Sequence, residues 1–239
     1  AIADSVPLTA QDTVVEIGPG LGTLTSLLVK KAGKVVAVEY DTALAGKLPG
    51  QFPGKNLQVV NADFLHFDLS YLATGYRVVA NVPYYITQKI VEHLLEASNK
   101  AESFTLLVQE EVAEKLAARP GRLTAVAVKL QHLYDVQLGP RVPKEYFTPV
   151  PRVDSQVIIC KKIHVDENVH IAIALLERVV DAGFSAPRKK VRTSLAGGLG
   201  CRKEEAEALC VEAGIDANTR PADLSVVQWE NLAKVYDSR

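Results

Sequence analysis

Thr13-Val14-Val15-Glu16-Ile17-Gly18-Pro19-Gly20-Leu21-Gly22 is the stretch that decides the fold. Its first five residues form a mostly β-branched run, the pattern of a strand buried on both faces. A glycine turn follows at once, and Thr23-Leu24-Thr25-Ser26-Leu27-Leu28-Val29 then takes up helical spacing. Strand, glycine turn and helix together open an α/β sheet in which glycines let the backbone come close to a ligand. The turn reads G-x-G-x-G and lacks the third-glycine spacing of the dinucleotide fingerprint, so by itself it names no ligand.

Working outward, Lys34-Val35-Val36-Ala37-Val38 is a second strand run and ends in Glu39, whose two carboxylate oxygens suit the two hydroxyls of a ribose. Leu57-Gln58-Val59-Val60 is a third, leading into Asn61-Ala62-Asp63-Phe64, where Asp63 is placed to accept a hydrogen bond from a cofactor adenine. Glu39 or Asp63 alone would be an ordinary surface carboxylate. Polar groups at successive strand ends carry more weight, because ligands of such sheets lie outside the carboxyl ends of the strands. The absence of G-K-[ST] argues against a nucleoside triphosphate and for an adenosine ligand of low charge.

A fourth run, Arg77-Val78-Val79-Ala80, passes directly into Asn81-Val82-Pro83-Tyr84. The Asn81 side-chain oxygen and the Val82 or Pro83 carbonyl can accept hydrogen bonds from an exocyclic amine, and Tyr84 can stack on the ring that bears it. Pro83 fixes the turn, since its φ is locked and it donates nothing. This is chemistry suited to methylating an adenine N6. A bare turn ending a strand would account for Pro83 and Asn81, but not for the full set.

The alternating pattern places strands near 13–17, 34–38, 57–60, 77–81 and 104–108. Helices are expected near 23–32, 42–47, 87–97 and 110–117. Extended pieces near 134–139 and 153–163 read as an antiparallel pair added to a parallel sheet. Beyond Asp166 the pattern is helix only, over 169–182, 188–199 and 203–213, with a last helix opened by the capping-box pattern Ser225-Val226-Val227-Gln228. Trp229 reads as core. The expected division is a ligand-binding α/β domain over 1–165 and a helical domain over 166–239.

Net charge over 239 residues is only −1, yet the segment from Arg141 to Lys203 carries twelve Lys and Arg against six Asp and Glu. Clustered positive charge is what a phosphate backbone requires. Arg188, Lys189, Lys190 and Arg192 are the candidates there, and a helix beginning near Pro187 would put residues 188 and 192 on one face. Lys161-Lys162 reads as a solvated face. Cys160, Cys201 and Cys210 lack C-x-x-C spacing and the five histidines form no ligand pattern, so no metal is expected. Neither a membrane-span run nor a secretory signal is visible, which points to a cytoplasmic enzyme.

These motifs resemble a known family. Glu16 to Gly22, Asn61-Ala62-Asp63 and Asn81-Val82-Pro83-Tyr84 are similar to the cofactor and target-amine motifs of the KsgA-type rRNA adenine N6,N6-dimethyltransferases. So are Val108-Gln109-Glu110-Glu111-Val112-Ala113-Glu114, Phe147-Thr148-Pro149-Val150-Pro151-Arg152-Val153-Asp154-Ser155 and the stretch from Phe184 to Leu195, in the family's order along nearly the whole chain. The resemblance implies a Rossmann-like, S-adenosylmethionine-dependent methyltransferase sheet with a small all-helical C-terminal domain. It implies a cofactor site at Glu16, Gly18, Gly20, Gly22, Glu39, Asp63, Phe64 and Asn81, and a catalytic cleft of Asn81, Val82, Pro83, Tyr84 and Phe147. Arg152 joins the basic residues as an RNA contact.

The implied substrate is a pair of adjacent adenosines in a hairpin near the 3′ end of small-subunit rRNA, met in an assembling subunit by a monomeric enzyme. Two alternatives share these motifs: a large-subunit rRNA methyltransferase conferring macrolide resistance, and a non-catalytic RNA or transcription factor on the same scaffold. The chain departs from the family in three places. A Gln-Asn-Phe-Leu-like N-terminal segment is expected to lie outside it, Tyr85 stands where Asn is usual, and Ala186-Pro187-Arg188 replaces a usual Gln-Arg-Arg.

Overall fold

A computed structural model describes residues 2–53, 56–163 and 173–239. It contains two compact units. The first runs to Ala113 and resumes over Asp135–Lys162; the second holds Glu114–Tyr134 and the chain from Ile163 onward. Relative to the division expected at 165/166, the segment Glu114–Tyr134 belongs with the C-terminal helices.

The first unit is built on a seven-stranded sheet: β1 (Thr13–Ile17), β2 (Lys34–Glu39), β3 (Leu57–Asn61), β4 (Arg77–Asn81), β5 (Ser103–Gln109), β6 (Tyr134–Val142) and β7 (Ser155–Lys162). Their order is β3-β2-β1-β4-β5-β7-β6. β1 to β5 pair in parallel and β7 runs antiparallel to β5. The apolar runs form strands because both faces are covered: Val14, Val15, Val35, Ala37, Val78, Val79 and Ala80 are all buried. Helices α1 (Thr25–Lys31), α2 (Thr42–Gln51) and α3 (Thr87–Glu96) connect the strands, and α4 (Glu110–Leu116) follows β5.

Register positions the site. Ile17 lies opposite both Val38 and Ala80, and Glu39 opposite Asn61. β1 therefore has β2 on one side and β4 on the other, with the carboxyl ends of all four strands at one level. Strand order reverses across β1, and this is where open α/β sheets leave a ligand crevice.

The second unit packs α5 (Ala125–Leu133), α6 (Ile173–Phe184), α7 (Val191–Leu199), α8 (Lys203–Glu212) and α9 (Val226–Asp237). Trp229 is fully buried there with Leu176, Val180, Leu195 and Leu232, and its ring stacks on Phe184 at 5.4 Å. Gly183 makes room for it, since a Cβ would collide with the indole ring. The capping box at Ser225 forms as expected, with Ser225 Oγ accepting from Gln228 N at 3.2 Å.

Two expectations are corrected. The helix α5 was not foreseen: Ala125-Val126-Ala127-Val128 alternates small and β-branched residues, which hides the helical period. Thr124 opens it by accepting from Ala127 N at 3.3 Å. The basic helix starts at Val191, not near Pro187. Val191 N donates to Thr219 O at 2.7 Å, so it cannot close a turn onto Pro187, and Lys189 N closes a tight turn onto Ala186 O instead. Arg188 and Arg192 therefore share no helix face. The expected helical residues 169–172 lie outside the described residues. No helix among the described residues is long and apolar enough to cross a membrane.

Candidate active site and cofactor pocket

Gly18, Gly20 and Gly22 all adopt positive φ, at 62°, 56° and 83°. A Cβ on Gly18 or Gly20 would meet nothing within 4 Å, so the loop leaves an open cradle on that side. Gly22 does a different job, because a Cβ there would press on Leu48 and Phe52. The loop starts where Gly18 N donates to Val38 O, and Gly22 N closes its turn onto Pro19 O, each at 2.9 Å.

Glu39 stands beside this cradle. Its Oε2 accepts from Gly20 N at 2.9 Å and its Oε1 from Asp41 N at 2.8 Å. Both oxygens are thus fixed in place, and each keeps a lone pair for a ligand hydroxyl. On the next strand Asn61 Nδ2 donates to Glu39 O at 2.8 Å and so locks the two strand ends together. Asp63 is half-exposed; its Oδ1 accepts from Leu65 N at 3.0 Å and its Oδ2 lies 3.1 Å from His66 Nδ1.

Glu16 and Phe64 are, like Glu39, buried. Glu16 is only 1% exposed and accepts from Thr25 Oγ1 at 2.7 Å. Burial pushes its carboxyl up to about 7 against the opposing pull of the Thr25 hydrogen bond, and the nearby Glu39 charge adds to the rise. Phe64 is buried, its ring edge-on to His93 at 5.4 Å. Sequence reasoning passed over Tyr40, which stands exposed directly after Glu39. Its position next to a strand-end acid was the available signal.

The two negative groups and the open glycine cradle fit an adenosine-bearing, phosphate-free cofactor. Glu39 and Asp63 would repel a polyphosphate, while their acceptor oxygens match ribose hydroxyls and an adenine amine. Among the described residues no group of three His, Cys, Asp or Glu side chains could hold a metal ion.

One strand over, Asn81 ends β4 at the surface and Val82 is buried, with Val82 N donating to Leu107 O at 3.4 Å. Asn81, Val82, Pro83 and Tyr84 line a cleft of about 270 Å³ together with Phe147, Thr148, Pro149 and Pro151. Two segments 60 or more positions apart in the chain thus meet around one opening. Tyr84 Oη bonds Ser155 Oγ at 2.6 Å. The Phe147 segment is held from the other side, where Asp154 accepts from Lys144 N at 3.0 Å and from Arg141 at 2.9 Å. Arg152 is exposed next to Pro151 on the rim.

In the helical unit Arg188 and Lys189 stand exposed in the turn before α7. Lys190 Nζ donates to Asn218 Oδ1 at 2.9 Å, and Arg192 pairs with Glu207 at 2.7 Å. The four basic residues are near one another; Arg188, Lys189 and Lys190 are exposed, and only Arg192 has its charge balanced by a carboxylate.

Comparison with known proteins gives a consistent picture. The family model described as ribosomal RNA adenine dimethylase matches residues 1–238. The chain is 35% identical over 232 residues to "Ribosomal RNA small subunit methyltransferase A" of Dehalococcoides mccartyi, covering 94% of this chain and 79% of that one. It is 33% identical to the protein of the same name from Fusobacterium nucleatum, covering 95% and 88%. Among solved structures it resembles a dimethyladenosine transferase from Plasmodium falciparum, with TM-score 0.83, 18% identity and coverage of 99% and 94%. It also resembles the 23S rRNA methyltransferase ErmE, with TM-score 0.77, 29% identity and coverage of 99% and 95%.

Proposed function

The chain belongs to the ribosomal RNA adenine dimethylase family, and we propose that it dimethylates N6 of two adjacent adenosines in a hairpin near the 3′ end of small-subunit rRNA. It is an S-adenosylmethionine-dependent methyltransferase. We take it to work as a cytoplasmic monomer on an assembling subunit. The observation that carries the reading is the joint cleft of Asn81 to Tyr84 and Phe147, one strand away from the Gly18–Gly22 cradle.

Gly18 and Gly20 would admit the cofactor to the cradle, Glu39 would hold its ribose, Asp63 its adenine amine, and Tyr40 would offer a ring beside it. When bound, the cofactor supplies an electrophilic methyl group on a positively charged sulfur. Glu16 is buried and bonded to Thr25 at the start of α1, and would support the cofactor site from within.

The amine to be methylated is a poor nucleophile, because its lone pair is delocalised into the purine. Asn81 Oδ1 accepts one N6 hydrogen. The Pro83 carbonyl already receives Ile86 N at 3.2 Å and Thr87 Oγ1 at 3.5 Å, so the Val82 carbonyl is the second acceptor. Two such acceptors favour a pyramidal nitrogen and stabilise the positive charge that develops on it, an effect on the order of 3 kcal/mol for a well-placed group. Tyr84 stacks on one face of the base and Phe147 closes the other. No strong general base is required, since the proton leaves once the nitrogen is cationic.

Small-subunit specificity is favoured by the names of the relatives at 33% to 35% identity. The likeness to ErmE at 29% keeps a large-subunit target as the second reading. A transfer assay with radiolabelled S-adenosylmethionine and under-methylated small-subunit particles decides between them. Label is expected in small-subunit rRNA as N6,N6-dimethyladenosine. Label confined to large-subunit RNA moves the assignment to the second reading, and no label in either leaves the non-catalytic factor. Asn81→Ala is expected to lower turnover while cofactor affinity holds; loss of cofactor binding in that variant would overturn the division of roles.

A further inference from the structure

Two aromatic rings at the cleft are left unused by the reaction as described. Tyr85 is 87% exposed and Tyr146 is 81% exposed. Tyr85 follows Tyr84 in the chain and Tyr146 precedes Phe147, and both of these neighbours line the cleft. Consecutive Cα atoms are about 3.8 Å apart, so each exposed ring is rooted at the rim, one on each of the two segments that form the opening.

The backbone beneath both rings is pinned. Tyr85 sits in the 3₁₀ turn Tyr84–Ile86, closed by Ile86 N donating to Pro83 O at 3.2 Å. Tyr146 ends the 3₁₀ turn Lys144–Tyr146. That turn is closed by Tyr146 N to Pro143 O and Phe147 N to Lys144 O, each at 3.1 Å, and is tied down by Lys144 N to Asp154 at 3.0 Å. The rings are therefore bare side chains on ordered supports. A single exposed tyrosine needs no explanation. Two of them, one beside each aromatic wall of a single base-sized cleft, call for one.

The reaction supplies the occupant. A base that enters the cleft leaves its stack, and the bases on either side each lose a partner, at a cost of roughly a few kcal/mol. Aromatic side chains replace such lost stacking without reading sequence, because every base has a π-face. Charge at the rim agrees with an RNA strand. Arg152 is exposed one residue from the lining Pro151, whereas Arg141 is already neutralised by Glu110 and Asp154, each at 2.9 Å. The exposed Glu145 is the one opposing charge on this turn.

We propose that Tyr85 and Tyr146 form a two-ring platform that stacks on the nucleotides flanking the extruded adenosine, with Arg152 taking a backbone phosphate. The proposal rests on the adenine-methylating reading above and adds how the RNA strand is held open at the mouth of the cleft. Contact through ring faces makes the platform indifferent to the identity of the flanking bases. The phenol oxygens are dispensable to it.

The test uses a synthetic RNA hairpin with a single target adenosine in its loop and 2-aminopurine placed on either side of it. Binding by the full chain is expected to quench the fluorescence of both reporters. Tyr85→Ala and Tyr146→Ala are each expected to remove the quench at one reporter and to weaken RNA binding by roughly 5- to 150-fold. Cofactor affinity should stay unchanged, and Tyr85→Phe and Tyr146→Phe should bind like the parent. Binding within twofold of the parent in both alanine variants, with the quench intact, overturns the platform. The titration needs no turnover, so a protein that transferred no methyl group would overturn the functional reading, while the fluorescence would still decide the platform.

Discussion

The Tyr84 phenol oxygen and the Ser155 hydroxyl lie 2.6 Å apart across 71 positions of sequence. Ser155 is fully buried at the start of β7, opposite Gln109 of β5, so the sheet itself fixes one end of this bond. Among the described residues Tyr84 is the aromatic ring that lines the cleft on the Asn81 side. Its tilt is thereby set by a strand that contributes nothing else to the base site. Ser155 is a positioning residue in this sense.

Ser155→Ala is expected to lower kcat/KM for RNA by about two- to tenfold, the worth of one net hydrogen bond. Cofactor affinity should be unaffected. Tyr84→Phe removes the same bond from the other end, so the double variant should be no worse than either single one. Steady-state kinetics on RNA together with calorimetric titration of the cofactor give both readouts. Additive losses in the double variant would show that the two side chains act separately.

Glu39 carries a heavier load in the proposed site, since both of its oxygens are fixed by backbone N–H groups and both are assigned to the cofactor ribose. Glu39→Ala removes two charge-assisted acceptors and also frees Gly20 N in the loop. Each such bond is worth about 1.5–3 kcal/mol, so the cofactor dissociation constant should rise at least tenfold. Turnover at saturating cofactor should fall much less. Titration of the variant with S-adenosylmethionine checks this, and an unchanged dissociation constant would remove the ribose assignment.

Glu16 predicts a pH effect on stability. Its carboxyl titrates near an ordinary 4.5 when unfolded and at about 7 when folded, because burial disfavours the charge. Between those values the folded protein keeps a proton that the unfolded chain has lost. Stability from this group is therefore full below about pH 4.5 and declines as pH rises through 7, by about 3 kcal/mol in all. Glu16→Gln stays neutral and its oxygen can still accept from Thr25. The variant should match the parent in thermal unfolding at pH 5 and exceed it at pH 8. Parallel pH profiles for the two proteins would show that Glu16 is ionised in the fold at little cost.

The parts of this structure that could be read from sequence are those governed by local chemistry. β1, β2, β4 and β5 are covered on both faces and therefore appear as apolar runs, and positive φ at Gly18 and Gly20 leaves a glycine signature. The residues missed are those whose role depends on distant partners. Ser155 acquires meaning only when β7 brings it to Tyr84. The start of α7 was misjudged because Thr219, 28 residues on, captures Val191 N and overrides the helix-starting preference of Pro187. Phe147 was a candidate through resemblance alone; the structure brings it into the cleft of Asn81 without the sequence having offered a spacing that would do so.

That correction at α7 sharpens the prediction for the basic segment. With a helix from Pro187, Arg188 and Arg192 would share one face and be comparable phosphate ligands. In the turn they are not. Arg192 is half-buried and held by Glu207 at 2.7 Å, whereas Arg188, Lys189 and Lys190 are exposed, Lys190 with its Nζ on the neutral Asn218 at 2.9 Å. Arg188→Glu with Lys189→Glu should weaken RNA binding and flatten the slope of log K against log salt by about 1.4 to 1.8, the counterion release of two phosphate contacts. Arg192→Gln should leave that slope nearly unchanged, because its charge is already balanced inside the protein. Filter binding of the rRNA hairpin between 50 and 200 mM salt, about the range in which such contacts are felt, measures both. Equal slopes in the parent and the double variant would assign the turn to solvent, and a larger change from Arg192→Gln than from the double variant would place the RNA on the α7 face instead.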